Sequence, residues 1–552
     1  MTEFQARAAI RELESIGGFV TRDTKNAPCW SDILGSDDGC EILAPAFDIQ
    51  LRHSLATDSH LKVLADHFPC IERIDVSHTA ITDGGMRHLS SLSRLRSIGL
   101  AGTDVSDDAL AHLKPLKSLD SVNLEGTKIT DAGLVHLHGL TKVSYLNLGR
   151  TFVTGKGMAA LGFSKLRRLD VQGSLVNDDG LKDIGKLRHL TQINLSKTSV
   201  SDAGITSLAG LSELSTLILN DTNISDSGLN GVRTLHSLTY LALCRSRVSG
   251  YGLANLNSLE RLDLSMCPID DTGMASVASN RGLSSLCLDN AFVTDSGLKC
   301  IAGLENLRKL SVAGIPVTDA GLEQIARVNG LRCLDLSRTN ITDSGLIHLS
   351  GLSHLWELSV KDTGISNAGV KNIQALARLE VLDLSGTRVN DTGIPYLASF
   401  PTLYTLSLKG TSVTDCGVQE PNACKALRIL DLSGTKITGS GFAHFERVTE
   451  MDRLYLGGTR ITDAELEHLQ RFIKMTTLDL SNTQLTDRGL EHVVKIVGLA
   501  ELDLSDTGVT NAGLLSLRQL KHLGRIAVRH TKVTEEGIAR FRRASPMVQI
   551  QF

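Results

Sequence analysis

Apolar and polar residues alternate in a short segment that recurs along the chain. In one copy, residues 379–384 read Leu-Glu-Val-Leu-Asp-Leu, and this period of two predicts a strand with one buried face. A turn of Ser, Gly or Asn follows each segment. Apolar residues then return at helical spacing, as at Leu346, Leu349 and Leu352 of another copy. Each copy therefore predicts one short strand followed by one short helix.

The copies are spaced almost evenly. One slot, usually a threonine, follows each strand and marks twenty copies: Thr79, Thr103, Thr127, Thr151, Ser174, Thr198, Thr222, Ser246, Cys267, Ala291, Ile315, Thr339, Thr363, Thr387, Thr411, Thr435, Thr459, Thr483, Thr507 and Thr531. The step is 24 residues except before Ser174, where it is 23, and before Cys267, where it is 21. A single strand–helix unit cannot bury its own apolar face, so the units must stack. The pattern predicts an α/β solenoid, a horseshoe or arc with a concave parallel sheet and convex helices.

The start of each helix carries a recurring polar pair. Thr342 is predicted to be the N-cap, and Asp343 at the first helical position is predicted to face the positive end of the helix dipole. Ile341, before the cap, is predicted to pack on Leu346. Dipole compensation explains the aspartate column without a calcium site.

The ends of the array differ from its middle. Residues 1–46 are predicted to form an N-terminal capping helix and lead-in, and residues 47–70 a degenerate first repeat. Residues 71–546 hold the twenty regular repeats. Residues 547–552 are predicted to be a final edge strand, whose outward residues Gln549 and Gln551 discourage further pairing.

The motifs resemble those of a known family. Residues 382–393, of the form LDLSGTxVxDxG, and residues 342–349, of the form TDxGLxxL, resemble leucine-rich-repeat proteins of the ribonuclease-inhibitor-like type. The resemblance is closest to the bacterial, planctomycete-like members and extends over essentially the whole chain. It implies the same solenoid and a binding role. Similar repeats also read substrates in F-box ubiquitin-ligase subunits, but residues 1–46 do not resemble an F-box.

Composition narrows the possible partners. Lys and Arg number 57 against 61 Asp and Glu, a net charge of −4, which gives no overall attraction for nucleic acid or anionic membranes. Neither a signal peptide nor an apolar run of membrane-spanning length is evident, so we expect a cytoplasmic monomer. The ten cysteines lack CxxC spacing and are expected to be free, although Cys29, Cys40 and Cys70 could pair in an oxidising compartment.

Side chains at the third, fifth, seventh and eighth positions of each segment are expected on the concave face. Asp and Asn are frequent at the fifth position, either as solvated default residues or as a groove for cations or basic ligands. Aromatic and basic departures from the repeat are more informative, because Tyr, Trp and Arg often anchor protein interfaces. The predicted partner-binding residues, each of which could also be ordinary surface variation, are Tyr145, Arg150, Tyr240, Arg245, Trp356, Lys361, Arg453 and Tyr455.

No catalytic motif, metal site or cofactor site is predicted. Histidines recur on the helices, as at His348, His468 and His492, but without ligands at metal-binding spacing. Every Ser, His and Asp falls in a repeat slot, whereas a catalytic site should interrupt the repeat. The sequence therefore predicts a non-enzymatic module that binds a protein on its concave face. The alternatives are a substrate-recognition adaptor of a ubiquitin-ligase-like machine and, third, an enzyme.

Overall fold

A computed structural model describes residues 3–22, 47–254, 256–418, 426–445, 448, 450–545 and 548–552. The chain forms two compact units, Met1–Val248 and Ser249–Phe552. Each unit is a stack of strand–helix repeats with the strands on one side and the helices on the other. The predicted α/β leucine-rich-repeat solenoid is thus confirmed. No helix in these described ranges is long and apolar enough to cross a bilayer.

The strands of the first unit are β1 Phe19–Arg22, β2 Phe47–Gln50, β3 Ile71–Asp75, β4 Ser97–Gly99, β5 Ser121–Asn123, β6 Tyr145–Asn147, β7 Arg168–Asp170, β8 Gln192–Asn194, β9 Thr216–Ile218 and β10 Tyr240–Ala242. From β2 to β10, each strand pairs in parallel with the next. β1 pairs antiparallel with β2 and was not predicted from the sequence.

The strands of the second unit are β11 Arg261–Asp263, β12 Ser285–Cys287, β13 Lys309–Ser311, β14 Cys333–Asp335, β15 Glu357–Ser359, β16 Val381–Asp383, β17 Thr405–Ser407, β18 Ile429–Asp431, β19 Arg453–Tyr455, β20 Thr477–Asp479, β21 Glu501–Asp503, β22 Arg525–Ala527 and β23 Gln549–Gln551. They pair in parallel from β11 to β23 without a gap.

The first helix, Glu3–Ser15, precedes β1, and shorter helices follow the strands. The α-helices are Glu3–Ser15, Asp58–His67, Asp83–Met86, Asp107–Ala111, Asp131–Leu134, Asp178–Ile184, Asp202–Ile205, Gly273–Ala278, Asp295–Leu298, Asp319–Ile325, Asp343–Leu346, Asn367–Asn372, Asp415–Val418, Asp487–Val493, Asn511–Ser516 and Glu535–Ala544. The 3-10 helices are Arg87–Ser91, Val135–Leu137, Met158–Leu161, Thr206–Gly210, Gly228–Gly231, Tyr251–Leu253, Lys299–Gly303, Ile347–Gly351, Asp391–Ser399, Ser440–His444, Ala464–Arg471 and Leu517–Gln519.

Aliphatic side chains fill the space between strands and helices. Leu382 and Leu384, the fourth and sixth residues of one strand segment, are fully buried, as the alternation predicts. The threonine slot is also buried, because its hydroxyl donates to the backbone: Thr387 Oγ1 lies 2.6 Å from the Leu384 carbonyl oxygen. This bond satisfies a buried polar group and explains the preference for Thr and Ser at the slot.

The aspartates at the helix starts join consecutive repeats. Asp343 accepts hydrogen bonds from the backbone N–H (2.7 Å) and the hydroxyl (2.5 Å) of Ser366 in the next repeat. We call this pair of bonds the aspartate clamp. Clamp aspartates in the described repeats include Asp58, Asp83, Asp107, Asp131, Asp178, Asp202, Asp271, Asp295, Asp319, Asp343, Asp391, Asp415, Asp463 and Asp487.

Thr342 is the N-cap residue of this helix, as predicted, but its side chain contacts the preceding repeat. The Thr342 side chain makes no capping bond to its own helix; its hydroxyl donates to Asp319 of the preceding repeat at 2.6 Å. The physical reason is that a carboxylate can satisfy both an N–H and a hydroxyl of a neighbouring turn. Dipole compensation is therefore only part of the explanation for the aspartate column.

The clamp also reaches the N-terminal end of the array. Asp58, in the segment predicted to be a degenerate repeat, binds the Thr82 backbone N–H at 2.8 Å and its hydroxyl at 2.6 Å. Leu61 and Leu64 of the same helix are fully buried. Residues 23–46 of the predicted lead-in, with Cys29 and Cys40, lie outside the described residues.

Candidate functional site

Two of the predicted partner-binding residues, Tyr145 and Tyr240, lie in the same row of side chains across the strands of the first unit. In β6, Tyr145 is half-buried while Leu146 is fully buried, so Tyr145 lies on the exposed face of the sheet. We call this surface the strand face. Parallel register places its first row in the order Ser121, Tyr145, Arg168, Gln192, Thr216 and Tyr240. Tyr145 and Tyr240 therefore lie in one row, with three residues between them.

Tyr145 is held by its neighbour in the next strand. The guanidinium carbon of Arg168 lies 4.9 Å from the centre of the Tyr145 ring, a cation–π contact. The pair borders a shallow depression of about 210 Å³ lined also by Asp170, Gln192, Asn194, Thr216 and Ile218. The site thus presents an aromatic ring and a cation beside hydrogen-bonding groups.

Partial burial changes the acid–base chemistry of this depression. Burial raises the pKa of Tyr145, and the nearby negative charge of Asp170 adds to the rise. Burial also raises the pKa of Asp170, against hydrogen bonds from the Gln172 backbone N–H at 2.9 Å and the Asn194 side chain at 3.1 Å. A half-buried carboxylate with raised pKa costs free energy in the free protein, which a hydrogen-bond donor on a partner would offset.

Arg150 and Arg245 occupy a strained backbone position. Both are left-handed, with φ of 55° and 57°, in a turn slot that Gly126 and Gly173 fill in other repeats. Non-glycine residues pay about 1 kcal/mol or more for this conformation. Arg150 Nε lies 3.7 Å from Glu125, and Arg245 lies 3.5 Å from Asp221. Their side chains are therefore anchored loosely at the border of the strand face.

Two exposed apolar residues beside this site were missed by the sequence reasoning. Phe152 and Leu175 are 56% and 53% exposed and occupy equivalent slots of neighbouring repeats, two residues after the Arg150 slot. The signal was present, because other repeats carry polar residues such as Asp104, Lys128 and Asn223 there. Exposed apolar side chains of this size are typical of interaction surfaces.

The remaining predicted residues lie in the second unit. Arg453 and Tyr455 begin and end β19, and Arg453 lies 3.7 Å from Asp452. Tyr455 borders a depression of about 270 Å³ with Asp479, Asp503 and Arg525 among its lining residues. Trp356 precedes β15 and is half-buried, and its backbone N–H lies 2.9 Å from the Arg332 carbonyl oxygen. Lys361 follows β15 and is exposed. Neither Trp356 nor Lys361 lines the depression beside Tyr455.

The acidic fifth-position column has a structural role in the turns. Asp383 accepts a hydrogen bond from the Ser385 N–H at 2.8 Å, and Asp431 accepts the equivalent bond from Ser433 at 2.8 Å. Such turns favour Asp and Asn, which supports the default-residue interpretation of the column. Within the described residues, no three His, Cys, Asp or Glu side chains are grouped so that they could hold a metal ion.

The stacked strand–helix repeats define the class: the protein is a leucine-rich-repeat solenoid, a fold that generally mediates protein–protein interaction. A family model described as Leucine Rich repeat matches residues 186–209, 255–278, 331–350 and 473–493. No curated protein matches the chain.

Solved structures show the same fold at low sequence identity. The mouse RP105/MD-1 complex matches at 17% identity over 87% of this chain and 89% of that chain, with a TM-score of 0.53. The TLR13–ssRNA13 complex matches at 15% identity over 88% and 93%, with a TM-score of 0.52. A Leptospira interrogans LRR protein matches at 18% identity over 90% and 100%, with a TM-score of 0.41. These likenesses concern the fold alone.

Proposed function

We propose that this chain is a non-enzymatic interaction module that binds a protein partner on the strand face of its first unit, between β6 and β10. The observation that carries the proposal is the Tyr145–Arg168 contact beside Asp170 in one shallow depression. Tyr and Arg supply most of the binding energy in many protein interfaces, particularly where their geometry is fixed before binding.

The footprint suits a protein partner. Four strand steps of about 4.8 Å span about 19 Å from Tyr145 to Tyr240, which fits within one standard protein interface. Phe152 and Leu175 extend it with exposed apolar surface. The strand platform is rigid, so little ordering of the backbone opposes binding.

The test first isolates a partner by cross-linking and mass spectrometry with the full chain. Affinity for this partner is then measured with the double variant Tyr145→Ser and Arg150→Gly. These replacements are the residues that the preceding repeat has at the same two positions, Ser121 and Gly126. We expect binding to weaken by about 2 kcal/mol or more, roughly 30-fold. The melting temperature should change little, because the relief of left-handed strain at position 150 offsets the loss of the Tyr145 contacts.

The control replaces Arg87 and His88 on the helical side of the same unit with alanine. Both lie in the 3-10 helix Arg87–Ser91, away from the strand face. Isothermal titration should show unchanged affinity for this control. Equal weakening by both double variants, or weakening by the helical pair alone, would place the binding surface elsewhere.

The same isolation separates the adaptor alternative from a simple binding role. Enrichment of ubiquitin-ligase core subunits would favour a substrate-recognition adaptor.

We also propose that the protein is a cytoplasmic monomer that binds neither nucleic acid nor membranes. Among its described cysteines, Cys70, Cys287, Cys300, Cys333 and Cys416 are free thiols, which suits a reducing compartment. Sedimentation tests whether the protein is a monomer, and cell fractionation tests whether it is cytoplasmic.

The repeat subtype belongs to the proposal as well. The α-helical turn Asp343–Leu346, continued by the 3-10 helix Ile347–Gly351, supports the ribonuclease-inhibitor-like type. The motif of residues 382–393 supports an affinity with bacterial, planctomycete-like members. A crystal structure that replaced these helical turns with extended segments in most repeats would contradict the subtype.

A further inference from the structure

A cluster of basic side chains lies where the strands of the first unit begin. These residues stand immediately before and after the buried first residue of a strand segment, as Arg94 and Arg96 stand around Leu95. They line a depression of about 870 Å³ that is separate from the strand-face depression. We call this surface the basic edge; its basic residues are Arg94, Arg96, Lys142, Lys165, Arg167 and His189.

The basic edge has a charge opposite to that of the whole chain. Its lining includes five Lys or Arg and two carboxylates, Glu72 and Asp120, a local charge of +3 with histidine neutral. The chain as a whole carries −4. Three hydroxyls, those of Ser118, Ser144 and Ser164, lie among these charges. Together they form a surface that attracts anions and can donate hydrogen bonds to them.

Three of the cations have no carboxylate partner. Arg94, Lys142 and Lys165 form no ion pair with any residue in the described ranges, and all three are exposed. In the second unit, Lys474 lies 2.7 Å from Glu450 of the preceding repeat, whereas Arg332 and Arg378 are exposed and form no ion pair within the described ranges. In the first unit, Arg167 and His189 share Glu213. What distinguishes the basic edge is that three exposed cations without an ion pair line one depression.

From these observations we infer that the basic edge binds an extended acidic segment of a protein. The edge runs from β4 to β8, four strand steps or about 19 Å, which is the length of about six extended residues. Carboxylates along such a segment can reach Arg94, Lys142 and Lys165 in turn. This inference does not depend on the strand-face site, since the basic edge flanks the strands instead of lying on them.

The lining disfavours single-stranded nucleic acid as the occupant. Such ligands are usually bound through large aromatic side chains on which bases stack, and none of the residues around this depression is Phe, Tyr or Trp. An acidic protein segment is the better match.

The experiment uses the full chain and fluorescein-labelled decaglutamate, with decaglutamine as the uncharged probe and deca-deoxythymidylate as the nucleic-acid probe. Fluorescence anisotropy should show binding of decaglutamate that weakens between 50 and 300 mM KCl, because salt screens exposed charges. Decaglutamine should not bind. Lys142→Glu with Lys165→Glu should weaken decaglutamate binding by about tenfold or more.

The charge-matched control is Lys62→Glu with Arg233→Glu, which lie on exposed positions of the same unit away from the basic edge. It should change affinity by less than about twofold. Melting curves of both variants verify that they fold. Equal weakening by the two double variants, equal binding of decaglutamate and decaglutamine, or tighter binding of deca-deoxythymidylate would overturn the inference.

Discussion

Single residues that depart from the repeat identify the candidate site better than those that follow it. Tyr145 and Arg150 were found from the sequence because aromatic residues and arginine often anchor protein interfaces. Arg168, which contacts the Tyr145 ring, was not, because its significance depends on the register between two strands. A repeat pattern locates each slot, but contacts between neighbouring slots follow from side-chain conformations that no single sequence specifies.

The aspartate clamp gives a prediction at this scale. Asp343→Ala removes two hydrogen bonds to Ser366 and leaves a partly buried N–H without a partner. We expect the free energy of unfolding to fall by roughly 1–3 kcal/mol, measured by urea denaturation.

Asp343→Asn is the matched variant. Asn367 and Asn511 hold this slot naturally, and each accepts the N–H of the next repeat, at 3.0 and 2.9 Å. The asparagine variant should therefore lose less stability than the alanine variant. A loss as large as that of alanine would mean that the charge, rather than the acceptor oxygen, stabilises the clamp.

At the scale of the element, the repeat that is three residues short shows where the sequence reasoning stopped. The spacing of the repeats located the deletion. It did not predict which donors would bond to the carbonyl groups at the end of the shortened 3-10 helix Tyr251–Leu253. Asn280 of the next repeat does so: its side-chain N–H donates to the Leu253 carbonyl oxygen at 2.9 Å. Strand and helix order followed from periodicity, whereas this repair depends on one side chain whose neighbours in sequence give no sign of it.

Asn280 is fully buried, so its replacement should be costly. Asn280→Ala should lower the free energy of unfolding by roughly 1–3 kcal/mol, because it leaves the buried Leu253 carbonyl without this donor. Asn280→Asp should cost more, since a carboxylate oxygen would face the carbonyl oxygens of Leu253 and Val277. Thermal denaturation measures both.

Asn306 is the control for this prediction. Its side chain makes a similar bond to the Arg281 carbonyl oxygen at 3.1 Å, but at the surface. Asn306→Ala should cost less than about 0.5 kcal/mol. If Asn306→Ala and Asn280→Ala destabilise equally, burial of the shortened turn is not the reason for the effect.

At the scale of the whole molecule, two of the clamps link stability to pH. Asp202 and Asp415 lose solvation through burial, yet the hydrogen bonds that they accept lower their pKa below the usual 3.8. A carboxyl group with a lowered pKa stabilises the folded state above its unfolded pKa, and this contribution is lost as the pH falls through the folded pKa. The protein should therefore keep its stability from pH 7 to pH 5 and lose it progressively below about pH 4.

Urea denaturation across this range tests the linkage. Asp202→Asn with Asp415→Asn should make the loss at low pH shallower, because two groups that must take up protons are gone. Asp170→Asn should make it steeper, since burial raises the pKa of Asp170 and its protonation favours the folded state. The same pH dependence in all three proteins would rule out the clamps as its cause.

The spacing of the clamp also bears on how such a chain can change its length. Most clamps join residues 23 positions apart, and each involves only two consecutive repeats. If one complete repeat were duplicated or deleted, each remaining clamp aspartate would therefore still lie next to a hydroxyl group of the following repeat. Loss of a few residues would not keep this 23-residue spacing. Gene duplication can thus lengthen the protein in whole steps without new stabilising contacts having to evolve.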